Sequence, residues 1–594
     1  MSGTRTERLD RLRLKERVSV LVVGGGINGI STWRELALQG VDAVLVERGD
    51  FMSGASAAPS RMIHGGLRYM ENGEFTLVRE SLRERNRLLT NAPHMVSPLP
   101  TLIPLGDRRS GILSAIQRFL GGRPKPGPRG ALIVKLGLTL YDLYSGAGKA
   151  VPRHRFFGTR ELRRRVPALD PALRFGALYY DAKISYPERL GVEMILDTEQ
   201  ASPPALALNH VSFDGLSDGA AILTEKVTGE KISLRPDIVV NATGAWIDIT
   251  NGLIAKNPAP LIGGTKGSHL IIDNDALRDA LGENMVYFAN REGRVCIMFV
   301  HLGQVLAGST DISVETPEGV RCEADEADYI LASVREVFPG IKIASEEIVF
   351  RFAGVRPLPR SNAGVNAEIS RDHQCEWLPE QAGSPPVLSL VGGKWTTFRA
   401  FGEQAADLVL ERLGRRRIVS TQALKIGGGK DFPRDAAERK KWLTDLAALD
   451  ELTAERVSIL FNRYGTRVAA MVADISRQGD EPLASLPAYG RSELSWLAAR
   501  EHAGTLADLV LRRTAIALKG ELSLDAVEEI AGVMAAALGW SEQRRVAEIG
   551  ALLSHLEDFH GVGRATLEHR NRRQDHVSVE KSAHEPAVRK RQMS

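Results

Sequence analysis

Val18 to Glu47 reads VSVLVVGGGINGISTWRELALQGVDAVLVE. The opening run, Val18 to Val23, is apolar and rich in β-branched residues, the composition of a strand buried on both faces of a parallel sheet. Gly24, Gly26 and Gly29 form G-x-G-x-x-G, and Ile27 to Leu38 keeps helical spacing until Gly40 stops it. Val41 to Val46 predicts a second strand, with Glu47 at its end. Glycine lets the backbone turn tightly and approach a pyrophosphate, while the free N–H groups of the helix N-terminus point at it. A carboxylate about 20 residues beyond the glycines accepts hydrogen bonds from ribose hydroxyls and disfavours the 2′-phosphate of NADP. A glycine fingerprint alone marks many strand-to-helix turns. Strand, glycines, helix, strand and acid in this order predict a Rossmann-like dinucleotide-binding unit, with NAD and FAD both still allowed.

Outward from this unit, the 594 residues exceed one compact core and predict three or four units. Hydrophobic residues at 43% and charged residues at 25% describe an ordinary globular mixture. A formal net charge of +4 with 6% aromatics gives no basic, aromatic-interleaved surface, so a nucleic-acid reader is disfavoured. Cys296, Cys322 and Cys375 lack paired spacing, so neither a disulfide framework nor a metal site is expected. Met1 to Arg17 is charged, without the apolar centre of a signal peptide, and no apolar run reaches bilayer-spanning length. A cytoplasmic protein is expected, with any membrane contact peripheral.

Farther along stand Ser60 to Tyr69 (SRMIHGGLRY), Glu74-Phe75, Ala92 to His94, Asn241 to Trp246, Lys266 to His269 (KGSH), Gly308 to Asp311 (GSTD), Gly354 to Leu358 (GVRPL), Ser370 to Asp372 and Gly392 to Arg399 (GGKWTTFR). In this order the blocks resemble the FAD-dependent glycerol-3-phosphate dehydrogenases of the aerobic, quinone-linked type, from about Val18 to Phe401. The resemblance implies FAD, oxidation of sn-glycerol 3-phosphate to dihydroxyacetone phosphate, and a quinone acceptor. An oxygen-using oxidase, a dehydrogenase of another polyol phosphate such as erythritol phosphate, and a catalytically silent FAD scaffold are the competing readings. Lys394 and His269 argue against the last.

Val387 to Val391 followed by Gly392-Gly393 and a helix opening near Thr396 repeats the strand, glycine, helix logic, so a second helix N-terminus is expected to face the cofactor. Lys394 belongs there, because negative charge develops on flavin as it is reduced. Within the matched blocks His269 is the expected base, with His64 competing for that role or packing on the cofactor. Arg68, Arg356 and Arg371, with Tyr69, are the expected phosphate clamp, since guanidinium groups pair well with phosphate oxygens. Arg356 also counts with His269 and Lys394 as catalytic. The expected cofactor contacts are Gly24, Gly26, Gly29, Glu47, Ser60, His64, Gly65, Gly244, Gly393, Lys394 and Thr396. Ser53 and Ser56 lie in the same small-residue loop as Ser60, which carries fewer hydroxyls than the family pattern.

The expected architecture is α/β: a discontinuous FAD domain (about 18–105, 150–262 and 340–413), an antiparallel-sheet substrate domain (about 262–340) and a C-terminal helical domain (431–562). Helices are expected over Ser492 to Ala503, Leu506 to Leu518 and Leu524 to Leu538. Residues 1–17 form a charged extension, and 563–594 are charged and apolar-poor, as disordered tails are. The basic insertion 106–130 places Ile112, Leu113, Ile116, Phe119 and Leu120 on one side of a short helix, a shape that suits either anionic lipid or its own domain. Assembly is left open, a homodimer included.

Overall fold

The computed structural model describes residues 4–67, 74–106, 131–145, 151–360, 373–449 and 452–572. Arg68, Tyr69, Arg371, most of the insertion and the last 22 residues, 573–594, lie outside them.

The opening apolar run is the strand Arg17–Val23, at the centre of a parallel sheet. Lys231–Asn241 and then Val387–Val391 flank it on one side, Ala43–Val46 and then Leu206–Leu208 on the other, and Gln374–Trp377 closes one edge antiparallel. Val20 and Val22 enter one core with Ile30, Trp33 and Phe401, whereas Leu21 and Val23 enter another with Leu9, Leu12 and Phe213. Alternate side chains thus serve two cores, which is why the run is continuously apolar. The second core is covered by the helix Arg5–Arg13, capped by Thr4 and Glu7 and anchored by Arg5 to Glu225 at 2.7 Å. The expected charged extension is therefore largely a packed helix.

The helix Ile27–Leu38 crosses the helix Phe398–Arg412 so closely that a Cβ on Gly402 would lie 2.3 Å from Ser31 Oγ. Both helices begin at glycine turns, so this crossing brings two N-termini to the same end of the sheet.

The second sheet runs Ile312–Ser313, Ile262–Ile272, Gln304–Gly308, Val295–His301, Met285–Ala289, Val96–Leu105, Phe175–Ile184, Met62–Ile63. Ile348–Pro359 pairs antiparallel along the other edge of Ile262–Ile272. The expected partition needs correction here, because Val96–Leu105, Phe175–Ile184 and Ile348–Pro359 belong to this sheet and not to the nucleotide-binding one. Strand pairing is non-local, and Pro98, Pro100 and Pro104 disguise the strand. Prolines at alternating positions remove amides along one edge only, leaving the other edge to pair with Phe175–Ile184 over ten residues.

The C-terminal helices include Ala454–Tyr464, Val468–Gln478, Arg491–Arg500, Leu524–Leu538 and Glu542–His560. Their core is continuous with Ile271, Phe299, Phe350 and Phe352 of the second sheet. The helix expected over Leu506 to Leu518 stops at Arg513, where a wide turn over Leu509–Arg513 aims Arg512 and Arg513 at Asp50, both within 2.6 Å. The expected disordered tail also begins too early: residues 564–572 are helical, Leu567 is buried, and Arg570 donates to the carbonyls of Leu522 and Val349. No helix among the described residues is long and apolar enough to cross a membrane.

Candidate functional site

The first glycine turn is shaped by three different demands. Gly24 has φ +107°, and a Cβ there would lie 2.6 Å from the Ala242 carbonyl oxygen. A Cβ on Gly29 would lie 1.9 Å from the carbonyl oxygen of Gly24, so this glycine permits helix and strand to touch. A Cβ on Gly26 would meet only Ser56 Oγ, at 3.2 Å, so the space beyond the helix N-terminus is open to a ligand. The Ile27 N–H donates to that same Ser56 Oγ at 3.0 Å. Glu47 accepts the Gly25 N–H at 2.7 Å and the Gly49 N–H at 2.8 Å. Burial pushes its carboxyl up while these two bonds pull it down. The acid therefore ties the turn together as well as standing where ribose hydroxyls are expected.

The second turn lies against the first. Gly392 and Gly393 both have positive φ, and a Cβ on Gly393 would lie 2.6 Å from Asn28 Nδ2. Trp395 Nε1 donates to the Ser56 carbonyl at 3.1 Å, tying this turn to the serine loop. Lys394 is half-buried at the start of the short turn Trp395–Thr397, and Thr396 is buried within it. Gly244, at φ +61°, opens the turn after Lys231–Asn241 with nothing within 4 Å of a Cβ position. Ser60 and His64 are half-buried on either side of Met62–Ile63. Gly65 donates its N–H to Asp181 at 2.9 Å, and a Cβ there would strike Leu82 and the Tyr141 hydroxyl, each at 2.2 Å. Two helix N-termini, an open Gly26 face and an acid at the end of the second strand fit an FAD, with Gly24 to Ile27, Glu47, Ser56 and the Gly392 to Thr396 turn as the residues that would hold it.

Facing this cradle is the second sheet. Gly354, paired with Gly267, has no side chain where a Cβ would lie 2.7 Å from Ala58 Cβ, so the strand Ile348–Pro359 sits directly on the Ala55–Ala58 loop. Gly267, His269, Phe352 and Arg356 share the face that carries Gly354, by alternation along the two paired strands. His269 is 2% exposed, stacks on Phe352 at 5.1 Å between ring centroids, and among the described residues neither ring nitrogen has a hydrogen-bond partner. The Arg356 guanidinium lies where a Gly267 side chain would be, 2.1 Å from the Cβ position. It donates to Asp311 Oδ1 at 3.1 Å, Ser309 Oγ at 3.0 Å and the Thr310 carbonyl at 3.3 Å.

The structure thus brings His269 and Arg356 together, and sets their face against the loop that holds Ser56. Burial first, then the charges of Arg356 and Arg61, push the His269 imidazole down to about 3. At this value the ring is neutral at physiological pH, able to accept a hydrogen bond and only weakly basic. Arg61 went unremarked in the sequence although it lies in SRMIHGGLRY. Its Nη atoms donate to Glu188 at 2.7 and 3.2 Å, while its buried Nε has no partner among the described residues. Gly267 and Asp311 stood inside quoted blocks, but their roles depend on a strand neighbour 45 or more residues away, Arg356. Of the expected clamp, only Arg356 falls among the described residues.

Residues 19–408 match the family model described as FAD dependent oxidoreductase, and residues 419–545 match the C-terminal domain of alpha-glycerophosphate oxidase. A glycerol-3-phosphate dehydrogenase of Synechocystis is 32% identical over 564 residues, covering 91% of this chain and 96% of the relative. A D-erythritol 1-phosphate dehydrogenase of Brucella abortus is 29% identical, covering 84% of this chain and 94% of its own. The solved glycerol-3-phosphate dehydrogenase from Bacillus halodurans complexed with FAD aligns with a TM-score of 0.72 at 22% identity, over 94% of this chain and 98% of that one, and so shares the fold.

Proposed function

The chain belongs to the FAD-dependent glycerol-3-phosphate dehydrogenases, and from that premise we propose that it oxidises sn-glycerol 3-phosphate to dihydroxyacetone phosphate. The observation that carries this reading is the Arg356 guanidinium seated over Gly267 on the face that holds the buried His269 imidazole, whose nitrogens have no hydrogen-bond partner among the described residues. One group suits a phosphate dianion and the other a hydroxyl proton, which are the two ends of a phosphorylated polyol.

Bound FAD supplies the hydride acceptor for the carbinol carbon. Arg356, with Arg68, Tyr69 and Arg371 as proposed partners, holds the phosphate and fixes the hydroxyl end near His269. A ring nitrogen of His269 takes the hydroxyl proton. The phosphate dianion offsets the positive charge of Arg356 that depresses the imidazole, so substrate binding itself strengthens the base. Lys394 contributes a cation at the opening of the second helix.

Anaerobic addition of glycerol 3-phosphate to the yellow holoprotein should bleach its visible band; a spectrum that stays unchanged rejects the substrate. D-Erythritol 1-phosphate is the second reading, favoured by the relative of that activity. The electron acceptor we favour is a quinone, reached from the cytoplasmic face of a membrane to which the basic 106–130 insertion lends charge. The match to an oxidase C-terminal domain favours oxygen instead, and peroxide formed per turnover separates the two.

A further inference from the structure

Glu326, on a helix behind the second sheet, is bonded to both arms of the site. It lies in the first turn of the helix Ala324–Val337 and is 3% exposed. Its Oε1 accepts from Ser268 Oγ at 2.8 Å and from Thr310 Oγ1 at 2.8 Å. Its Oε2 lies 2.5 Å from Lys266 Nζ and accepts the Glu323 N–H at 3.1 Å. Thr310 Oγ1 also accepts the backbone N–H of Ser268 at 2.9 Å, which closes the network.

Ser268 immediately precedes His269, and Thr310 lies between the two side chains, Ser309 and Asp311, that receive Arg356. Side chains alternate across a strand, so Lys266 and Ser268 project from the face opposite Gly267 and His269. The carboxylate therefore pins the base-bearing strand and the arginine-bearing loop from behind, without touching the substrate face. Pairing within the sheet aligns His269 with Gly308, where the strand Gln304–Gly308 ends, and resumes along Ile262–Ile272 at Ile312, opposite Lys266. Between these two anchors the segment Ser309 to Asp311 is held by the Thr310 hydroxyl bonds to Glu326 and Ser268. A buried carboxylate that only had to be neutralised needs one cation; this one also collects two hydroxyls from separate segments.

We propose that Glu326, acting through Ser268 and Thr310, is a positioning residue that sets the separation of His269 and Arg356 and thereby the length of polyol phosphate the site accepts. The inference rests on the substrate reading above. It accounts for Lys266 and Ser268 of KGSH and Thr310 of GSTD, side chains to which the proposed chemistry assigns no contact with substrate.

The test compares holoenzymes carrying Glu326→Gln, Thr310→Val or Thr310→Ser, assayed with glycerol 3-phosphate and with D-erythritol 1-phosphate. The kcat/KM ratio of the shorter over the longer substrate should fall about tenfold in Glu326→Gln and Thr310→Val, in line with one-carbon discrimination in a shaped pocket. Thr310→Ser keeps the hydroxyl and should keep the wild-type ratio, with FAD absorbance unchanged throughout. Equal loss on both substrates, or a serine variant as relaxed as the valine one, overturns the positioning role. Should Glu326→Gln fail to fold, the Thr310 pair decides alone. Wild-type holoenzyme reduced by neither phosphate overturns the substrate reading and this inference with it, whereas an unchanged ratio in active variants overturns this inference alone.

Discussion

At the scale of single residues, three glycines of one motif do three jobs, and substitution should separate them. Gly29→Ala puts a methyl group where a carbonyl oxygen stands at 1.9 Å and should prevent stable folding. Gly26→Val meets only a serine hydroxyl at 3.2 Å, so the protein should fold to a near-native circular dichroism spectrum yet emerge colourless. A yellow Gly26→Val protein would place the pyrophosphate elsewhere. Arg356→Ala removes a charged donor set and should raise KM for glycerol 3-phosphate by roughly 10- to 100-fold while leaving FAD content intact, as charge-assisted hydrogen bonds are worth about 1.5–3 kcal/mol. Equal loss of flavin and affinity counts against the clamp. The identities of these residues were readable in the chain, but the cut-out at Gly267 that admits Arg356 was not, because the two positions meet only through strand pairing.

At the scale of elements, the decisive contact is the crossing of Ile27–Leu38 with Phe398–Arg412. Each helix was foreseen from its own glycine turn and apolar spacing; that they touch through Gly402 and Ser31 was not. Gly402→Val should push them apart, with an overpacking cost of about 1–3 kcal/mol and a lower Tm, and should weaken FAD retention because both N-termini shift together. A stable variant with full flavin would mean that the crossing merely fills space. The second sheet shows the opposite case, since its strand Val96–Leu105 carries three prolines and has no local signature that outweighs them.

At the scale of the whole molecule, the C-terminal helices are joined to the nucleotide-binding part by buried charges. Arg513 and Asp50, both fully buried, meet at 2.6 and 2.7 Å, and Arg189 meets Glu501 at 2.6 and 2.9 Å. Asp50→Ala strands Arg513 in the interior and should cost about 3–5 kcal/mol in denaturant unfolding, as broken buried pairs do. A loss under 1 kcal/mol would show that water reaches the interface. Acid should destabilise the molecule through its neutral imidazoles. Burial above all pushes His269 and His560 down to about 3, whereas unfolded histidine takes a proton near about 6.5. Between those values the unfolded chain binds more protons, so stability falls as pH falls, by up to about 1.4 kcal/mol per pH unit for each group. Glu193, lowered to about 2 by His94 and Arg467 against the pull of burial, adds a loss of the same sign as pH drops below the ordinary carboxylate range. Urea midpoints that do not move between pH 7 and pH 5 would contradict this account.

The sequence by itself determined the nucleotide-binding unit, because glycine turns, apolar runs and helical spacing are local and each is imposed by the backbone of its own segment, while the choice of FAD and the candidate side chains came from the resemblance of its ordered motif blocks to a family. Only the tertiary structure decided which strands form the second sheet, how His269 comes to be held neutral, and that Asp311, Gly267 and Glu326 serve Arg356 and His269. Those facts are made by pairings between segments far apart in the chain, and burial and charge belong to the neighbours that folding supplies.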